Sequence, residues 1–457
     1  MKLSVIGGGG VRSIFLARSI AQRAEELHIT ELAFMDIDSE KLRIFGGMAR
    51  HVAKLICPAL DFKLTCDAIE AVSGASYIIT TIRVGGDEMR TRDEHIALKH
   101  GLLGQETTGA AGFSFAMRSI PVLVDYCELI RRHAKPDVKV FNFTNPVGIV
   151  SQALRDMGYD FTYGICDAPS GMLHQFAELY GVEKDSIHGE LFGLNHLSWF
   201  QSIKINGLEI MPDLISRDDA YLRTDLRFFE KELVKSIGCV PNEYLYYFYY
   251  RTQAIENILK TGKTRGDIIH EINRAMQKDL AGMDIENNFQ ACLQIFKKWY
   301  GMRENNYMAN ETGVKRDTLW DFDMYAKDSG GYAGVALKFM EIMQSGKTGS
   351  MILCVPNQGA VDFLPEPDTV ELTCDITLQG HIPHQFNAIP AAQQELIRRV
   401  KYYERVGAQA IIQRDRLAAV ECLMLHPLVN SWKLASTLAD QYILLNRDFT
   451  GEWKDKV

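Results

Sequence analysis

Residues 161–171 read FTYGICDAPSG: an apolar run that closes on a thiol, a carboxylate and a Pro/Gly turn. A thiol beside a carboxylate, Cys166 next to Asp167, is a pairing of reactive types. Each also has a structural explanation. A lone cysteine is most often a small buried hydrophobe, and an aspartate suits the N-cap of the helix that APSGMLHQF would form. A second reactive stretch, VIGGGGVRSIF, opens the chain. Glycines let a backbone approach a pyrophosphate, and the following helix N-terminus supplies unpaired N–H groups and positive dipole. Gly8, Gly9, Gly10, Val11 and Arg12 are the residues so placed. The strict G-x-G-x-x-G pattern is not met, because Gly8-x-Gly10 is followed by Ser13 and Gly7-x-Gly9 by Arg12. Asp36 ends the second apolar run, where an acid accepts the hydroxyls of an adenosine ribose. It lies farther from the glycines than the roughly 20 residues of the usual fingerprint. Its charge would repel a 2′-phosphate, which favours NAD over NADP.

These groups need elements to place them. KLSVIG, ELAFMDID (31–38), FKLTCD (62–67), ASYIITTIRV (75–84), VKVFNFTNP (138–146) and FTYGICD (161–167) read as apolar strands separated by helical segments. Buried strands alternating with helices indicate an α/β fold with a doubly wound, mostly parallel sheet. With the glycine loop, this predicts a Rossmann-like NAD-binding domain over residues 1–165. Residues 166–457 are expected to form a mixed α+β domain packed closely against it. There, 189–210 reads as strands around an Asn206–Gly207 turn, 215–350 as mainly helical, 349–376 as strands and the tail as helices.

Composition narrows the function. The 457 residues carry a net charge of −8 with no long basic run, so neither nucleic acid nor an anionic membrane is an expected partner. No apolar stretch approaches the roughly 20 residues needed to span a bilayer, and the opening MKLSVIGGGG does not read as a signal peptide. Nine cysteines are scattered singly without a CxxC, which suits a reducing, cytoplasmic location.

Seven stretches occur in the order IRVGGDEMRTRDE, HGLLGQETTGAAG, NFTNPVG, ICDAPSG, GLNHLSW, PNEYLYYFYY and NQGAVDFLPEPDTVE. Together they resemble the family 4 glycoside hydrolases, which use NAD and a divalent metal, usually manganese. Such enzymes are an exception to two-carboxylate glycosidase chemistry. The resemblance implies an elimination–addition route: hydride leaves sugar C3 for NAD⁺, the ketone acidifies C2, a base removes that proton and the C1–O bond breaks. Water then adds, and the hydride returns.

The resemblance also implies roles. Cys166 and His196 match the metal ligands, Tyr244 the base, and Asp167 the acid for the leaving group. An aspartate directly after the metal cysteine looks like the 6-phospho-α-glucosidase pattern, whose substrates include phosphorylated maltose-type disaccharides. A 6-phospho-β-glucosidase is the alternative. Arg90 matches the substrate's phosphate-binding arginine; Glu106, Asn145, Asn195 and Arg265 match polar substrate contacts. A homodimer or homotetramer is implied in the same way. Read without the resemblance, His196 suits a core histidine, the tyrosines of 244–250 an aromatic core helix, and Arg90 and Arg92 ion pairs with Asp87, Glu88, Asp93 and Glu94. A plain NAD-dependent 2-hydroxyacid dehydrogenase would share the N-terminal half, but its active-site arginine/aspartate/histidine arrangement is not evident.

Overall fold

The computed structural model describes residues 1–315, 319–326 and 332–456. Six short strands, β1 (Lys2–Ile6), β2 (Glu31–Met35), β3 (Asp61–Thr65), β4 (Tyr77–Thr80), β5 (Lys139–Asn142) and β6 (Thr162–Gly164), lie parallel. Their order is β3-β2-β1-β4-β5-β6, the doubly wound arrangement. Leu3, Val5, Ile6, Ile78 and Ile79 are essentially inaccessible, as expected of strands covered by helices on both faces. The strands stop earlier than their apolar runs. Asp36, Arg83, Asn145, Cys166 and Asp167 consequently sit in the loops past the carboxyl ends of the strands, where open α/β sheets bind ligands.

Five more strands form the hairpins of the second half: β7 (Ile187–Leu194), β8 (Leu197–Ile205), β9 (Leu208–Glu209), β10 (Val240–Pro241) and β11 (Gly349–Pro356). They are followed by β12 (Thr369–Thr377) and β13 (Gly380–Pro383). The main sheet does not end at β6. β11 joins it antiparallel at Cys354↔Gly164, then β12 and β13, which makes nine strands. Gly164 permits that join, since a Cβ there would stand 2.7 Å from Cys354 Cβ and 2.3 Å from Ser151 Oγ. β7, β8, β9 and β10 make a separate small sheet. It is tied to β12 through Thr373, whose hydroxyl accepts from Leu191 N and donates to Gly189 O.

The segment 189–210 contains two turns. Asn206–Gly207 links β8 to β9 with both residues at positive φ. A second two-residue turn lies at Asn195–His196, between the paired Leu194 and Leu197. Helices Arg265–Leu280 and Phe289–Asn305 pack against the N-terminal domain's own helices, where Met276, Phe289 and Phe296 share a core with Ile14, Phe45 and Met48. No helix among the described residues is long and apolar enough to cross a membrane.

Candidate active site

β1 delivers the chain into the glycines with Gly7 at φ +100 and its N–H bonded to Met35 O. A Cβ on Gly7 would meet Thr81 O at 2.6 Å, and one on Gly8 would meet Phe34 Cβ at 2.5 Å. Only glycine fits such a backbone. Gly9 N donates to Asp36 Oδ2 at 2.9 Å and Asp38 N to Oδ1 at 3.0 Å, which fixes the acid against the loop. Helix Ser13–Arg23 starts without a side-chain cap. A bare helix N-terminus, a backbone with no room for side chains and an acid at the end of β2 fit a dinucleotide.

Arg12 turns from this loop toward Asp167, with Nη1 3.7 Å from Oδ2. Both line a cavity with Asn145, Cys166, Gln175, His196, Asp225, Glu243, Tyr244, Glu304 and Tyr307. Cys166 Sγ and His196 Nε2 lie 3.6 Å apart. His196 occupies the left-handed region at φ 62, uncommon but tolerated by histidine, so the tight turn aims its ring at the cysteine. Burial holds the imidazole neutral, with a pKa near 3, and burial together with the charges of Glu371 and Asp167 keeps Cys166 a thiol. A cation would favour the thiolate and coordinate the neutral imidazole. The described residues contain no group of three His, Cys, Asp or Glu side chains suited to a metal. A metal on this pair would therefore complete its coordination with substrate or water.

Tyr244 lies against His196 ring on ring. The Asn242 side chain accepts the Tyr244 backbone N–H at 3.0 Å, which starts the short turn Glu243–Leu245. Burial, the Glu243 charge and the Cys166 sulfur all raise the phenol's pKa above the usual value near 10. The Tyr307 hydroxyl is 3.4 Å from that of Tyr244 and donates to Glu243. Two other tyrosines of the run bind elsewhere: Tyr249 accepts from Trp199 Nε1 and Tyr250 from Glu230 N.

Asp167 occupies the N-cap position of helix Ala168–Tyr180, yet its side chain makes no capping bond. The carboxylate is left to the cavity and Arg12. Burial raises its pKa, opposed by Arg12. Asn145 presents a buried Oδ1 that has no hydrogen-bond partner among the described residues, an acceptor suited to a sugar hydroxyl.

Four expected substrate contacts lie behind the cavity wall. Arg90 is 5% exposed and balanced by Glu94 at 2.8 Å and Glu106 at 3.0 Å. Burial pushes Glu106 up, but Arg83 and Arg90 outweigh it and hold the acid near pKa 2. Arg265 donates to Asn306 O and stacks on Tyr307. Asn195 donates to Glu371 Oε1 at 2.9 Å, and Ser198 donates to Oε2 at 2.8 Å. Glu371 on β12 thus grips both flanks of the His196 turn. Nothing in the spacing of charged or metal-binding residues singles out Glu371, Tyr307 or Glu243, although Glu371 and Glu243 fall inside the conspicuous stretches.

Over residues 2–182 the chain matches the family 4 glycosyl hydrolases, and over residues 191–429 the family 4 glycosyl hydrolase C-terminal domain. The chain belongs to glycosyl hydrolase family 4. A probable 6-phospho-beta-glucosidase of Bacillus subtilis is 26% identical, over 100% of this chain and 99% of that one. A maltose-6'-phosphate glucosidase of Clostridium acetobutylicum is also 26% identical, over 99% of each. A crystal structure of a 6-phospho-alpha-glucosidase from gut microorganisms, in complex with NAD and Mn2+, superposes with a TM-score of 0.81 at 25% identity and 99% coverage of both chains. Relatives named for opposite anomers stand at the same identity, so overall similarity leaves this family 4 chain's anomer to its cavity.

Proposed function

We propose that this family 4 hydrolase cleaves 6-phospho-α-glucosides, such as phosphorylated maltose-type disaccharides, with NAD and manganese or another divalent metal. The observation that carries the reading is convergence: Cys166, Asp167, His196 and Tyr244, from three separate segments, meet in one cavity beside the glycine loop. The α-anomer is favoured by what the resemblance implies, since an aspartate directly after the metal cysteine looks like the 6-phospho-α-glucosidase pattern, and the Asp167 side chain makes no capping bond. The β-anomer is the second reading, supported by the equally similar relative of that name.

In this scheme bound NAD⁺ supplies reversible hydride abstraction, and a metal on Cys166 and His196 supplies Lewis-acid polarisation of sugar oxygens. The remaining work belongs to the chain. Asn145 Oδ1 accepts a substrate hydroxyl. Tyr244 takes the C2 proton; burial makes it a weak acid when idle, so its activation depends on the positive charge placed next to it. Asp167 donates to the departing oxygen, and burial shifts its pKa in the direction that role requires. Arg90, Glu106, Asn195 and Arg265 support these groups from behind.

The test is turnover of 4-nitrophenyl α- and β-D-glucoside 6-phosphates, with and without Mn²⁺, NAD⁺ and reductant. Release of nitrophenol from the α-anomer that needs both cofactors, without net NADH, is expected. Release from the β-anomer alone would transfer the reading to the second anomer, and net NADH accumulation would point to a simple dehydrogenase.

A further inference from the structure

A neutral imidazole binds a metal only through the ring nitrogen that carries no proton. For His196, the hydrogen bonds behind the ring decide which nitrogen that is. Gln105 Oε1 accepts the backbone N–H of Thr107 at 2.7 Å and of Thr108 at 3.0 Å. Two main-chain donors demand an oxygen, so the Gln105 amide has one permitted orientation. Thr107 Oγ1 stands 2.8 Å from the same oxygen. At that separation the hydroxyl proton lies between the two oxygens. A hydroxyl has one proton to give. Toward His196 Nδ1, 3.0 Å away, Thr107 Oγ1 is therefore an acceptor, and Nδ1 carries the ring proton. The lone pair is left on Nε2, the nitrogen 3.6 Å from Cys166 Sγ.

We propose that Gln105 and Thr107 are positioning residues that hold His196 in its Nδ1–H tautomer and so present Nε2 as the metal-binding atom. The proposal rests on the reading of Cys166 and His196 as a metal pair and adds the device that prepares one of its donors. The loop carrying the device is anchored. Between the two residues Glu106 turns the other way, into ion pairs with Arg83 and Arg90. Gln105 itself is 7% exposed. Partners of this kind typically change metal affinity by about 10–100-fold when removed.

The experiment uses the full-length protein with ¹⁵N-labelled histidine, free of metal, and a long-range ¹H–¹⁵N correlation spectrum. The His196 signal is assigned by its loss in His196→Asn. Protonated Nδ1 and bare Nε2 are expected in the wild type and in Thr107→Ser. Thr107→Val, which keeps the volume but lacks the acceptor, is expected to move the proton at least partly to Nε2. It should also bind Mn²⁺ about 10–100-fold more weakly by electron paramagnetic resonance titration, with NAD⁺ affinity unchanged. Protonated Nε2 in the wild type overturns the proposal without any variant, even where Thr107→Val does not fold. So does a folded Thr107→Val that keeps both tautomer and Mn²⁺ affinity. A wild type that shows the Nδ1–H signature but binds no Mn²⁺ defeats the metal reading alone, which separates the two failures.

Discussion

The rings of His196 and Tyr244 lie face to face, with centroids 3.6 Å apart and planes 4° from parallel. The proposed metal donor and the proposed base are therefore one packed unit. Neither ring can tilt without displacing the other.

Tyr244→Phe keeps the stack and removes only the oxygen. Mn²⁺ and NAD⁺ affinities should stay near wild type, while turnover falls by about 10²–10⁴-fold, the usual share of a positioned acid–base group. Isothermal titration alongside steady-state kinetics checks both halves. A fully active variant would remove Tyr244 from the chemistry.

Cys166→Ser replaces a soft donor with a hard one at a partly buried position. Metal-dependent activity should vanish, and NAD⁺ affinity should change little, because the glycine loop and Asp36 are held by separate contacts. Loss of NAD⁺ binding as well would mark the cysteine as structural.

Asp167→Asn should discriminate between leaving groups. An aryl oxygen departs without help, whereas a sugar alkoxide needs a proton. Activity on a phosphorylated disaccharide should thus fall by roughly 10²-fold or more, with a smaller loss on the 4-nitrophenyl substrate. Equal losses on both would speak against proton donation.

Glu371 supplies a pH test. Burial raises its pKa to about 7, against 4.5 for an ordinary glutamate. Between those values the folded chain keeps a proton that the unfolded chain has released, so stability falls as pH rises. Glu371→Gln lacks this titration. The wild type should therefore lose roughly 3 kcal/mol relative to the variant between pH 4.5 and pH 7, with little further change above. Urea unfolding of both proteins at a series of pH values measures it, and parallel stability curves would contradict it.

Much of this was legible in the sequence, for reasons that differ by element. Apolar runs alternating with helical segments report a parallel sheet directly, and the glycine loop announces its own backbone demands. The Asn195–His196 turn stayed hidden because it contains neither glycine nor proline and is flanked by apolar residues, so it reads as unbroken strand. Gln105, Thr107 and Glu371 were invisible as site residues because they act through hydrogen bonds to neighbouring groups, which impose no period and no spacing. Arg90 shows where residue type alone stops. Its type suits phosphate, but local carboxylates at positions 94 and 106 absorb its charge.

The join between β6 and β11 loads the assembly of the cavity onto one late event. β1 to β6 close over modest sequence separations, but Gly164 meets Cys354 roughly 190 residues farther along. Only then can β12 bring Glu371 to the His196 turn. The chain entropy of that long closure must be met before the turn is gripped. A ribosome releasing this chain would thus expose a finished cofactor cradle well before a finished catalytic mouth, and a truncation ahead of residue 349 would leave β6 as an unpaired, adhesive edge.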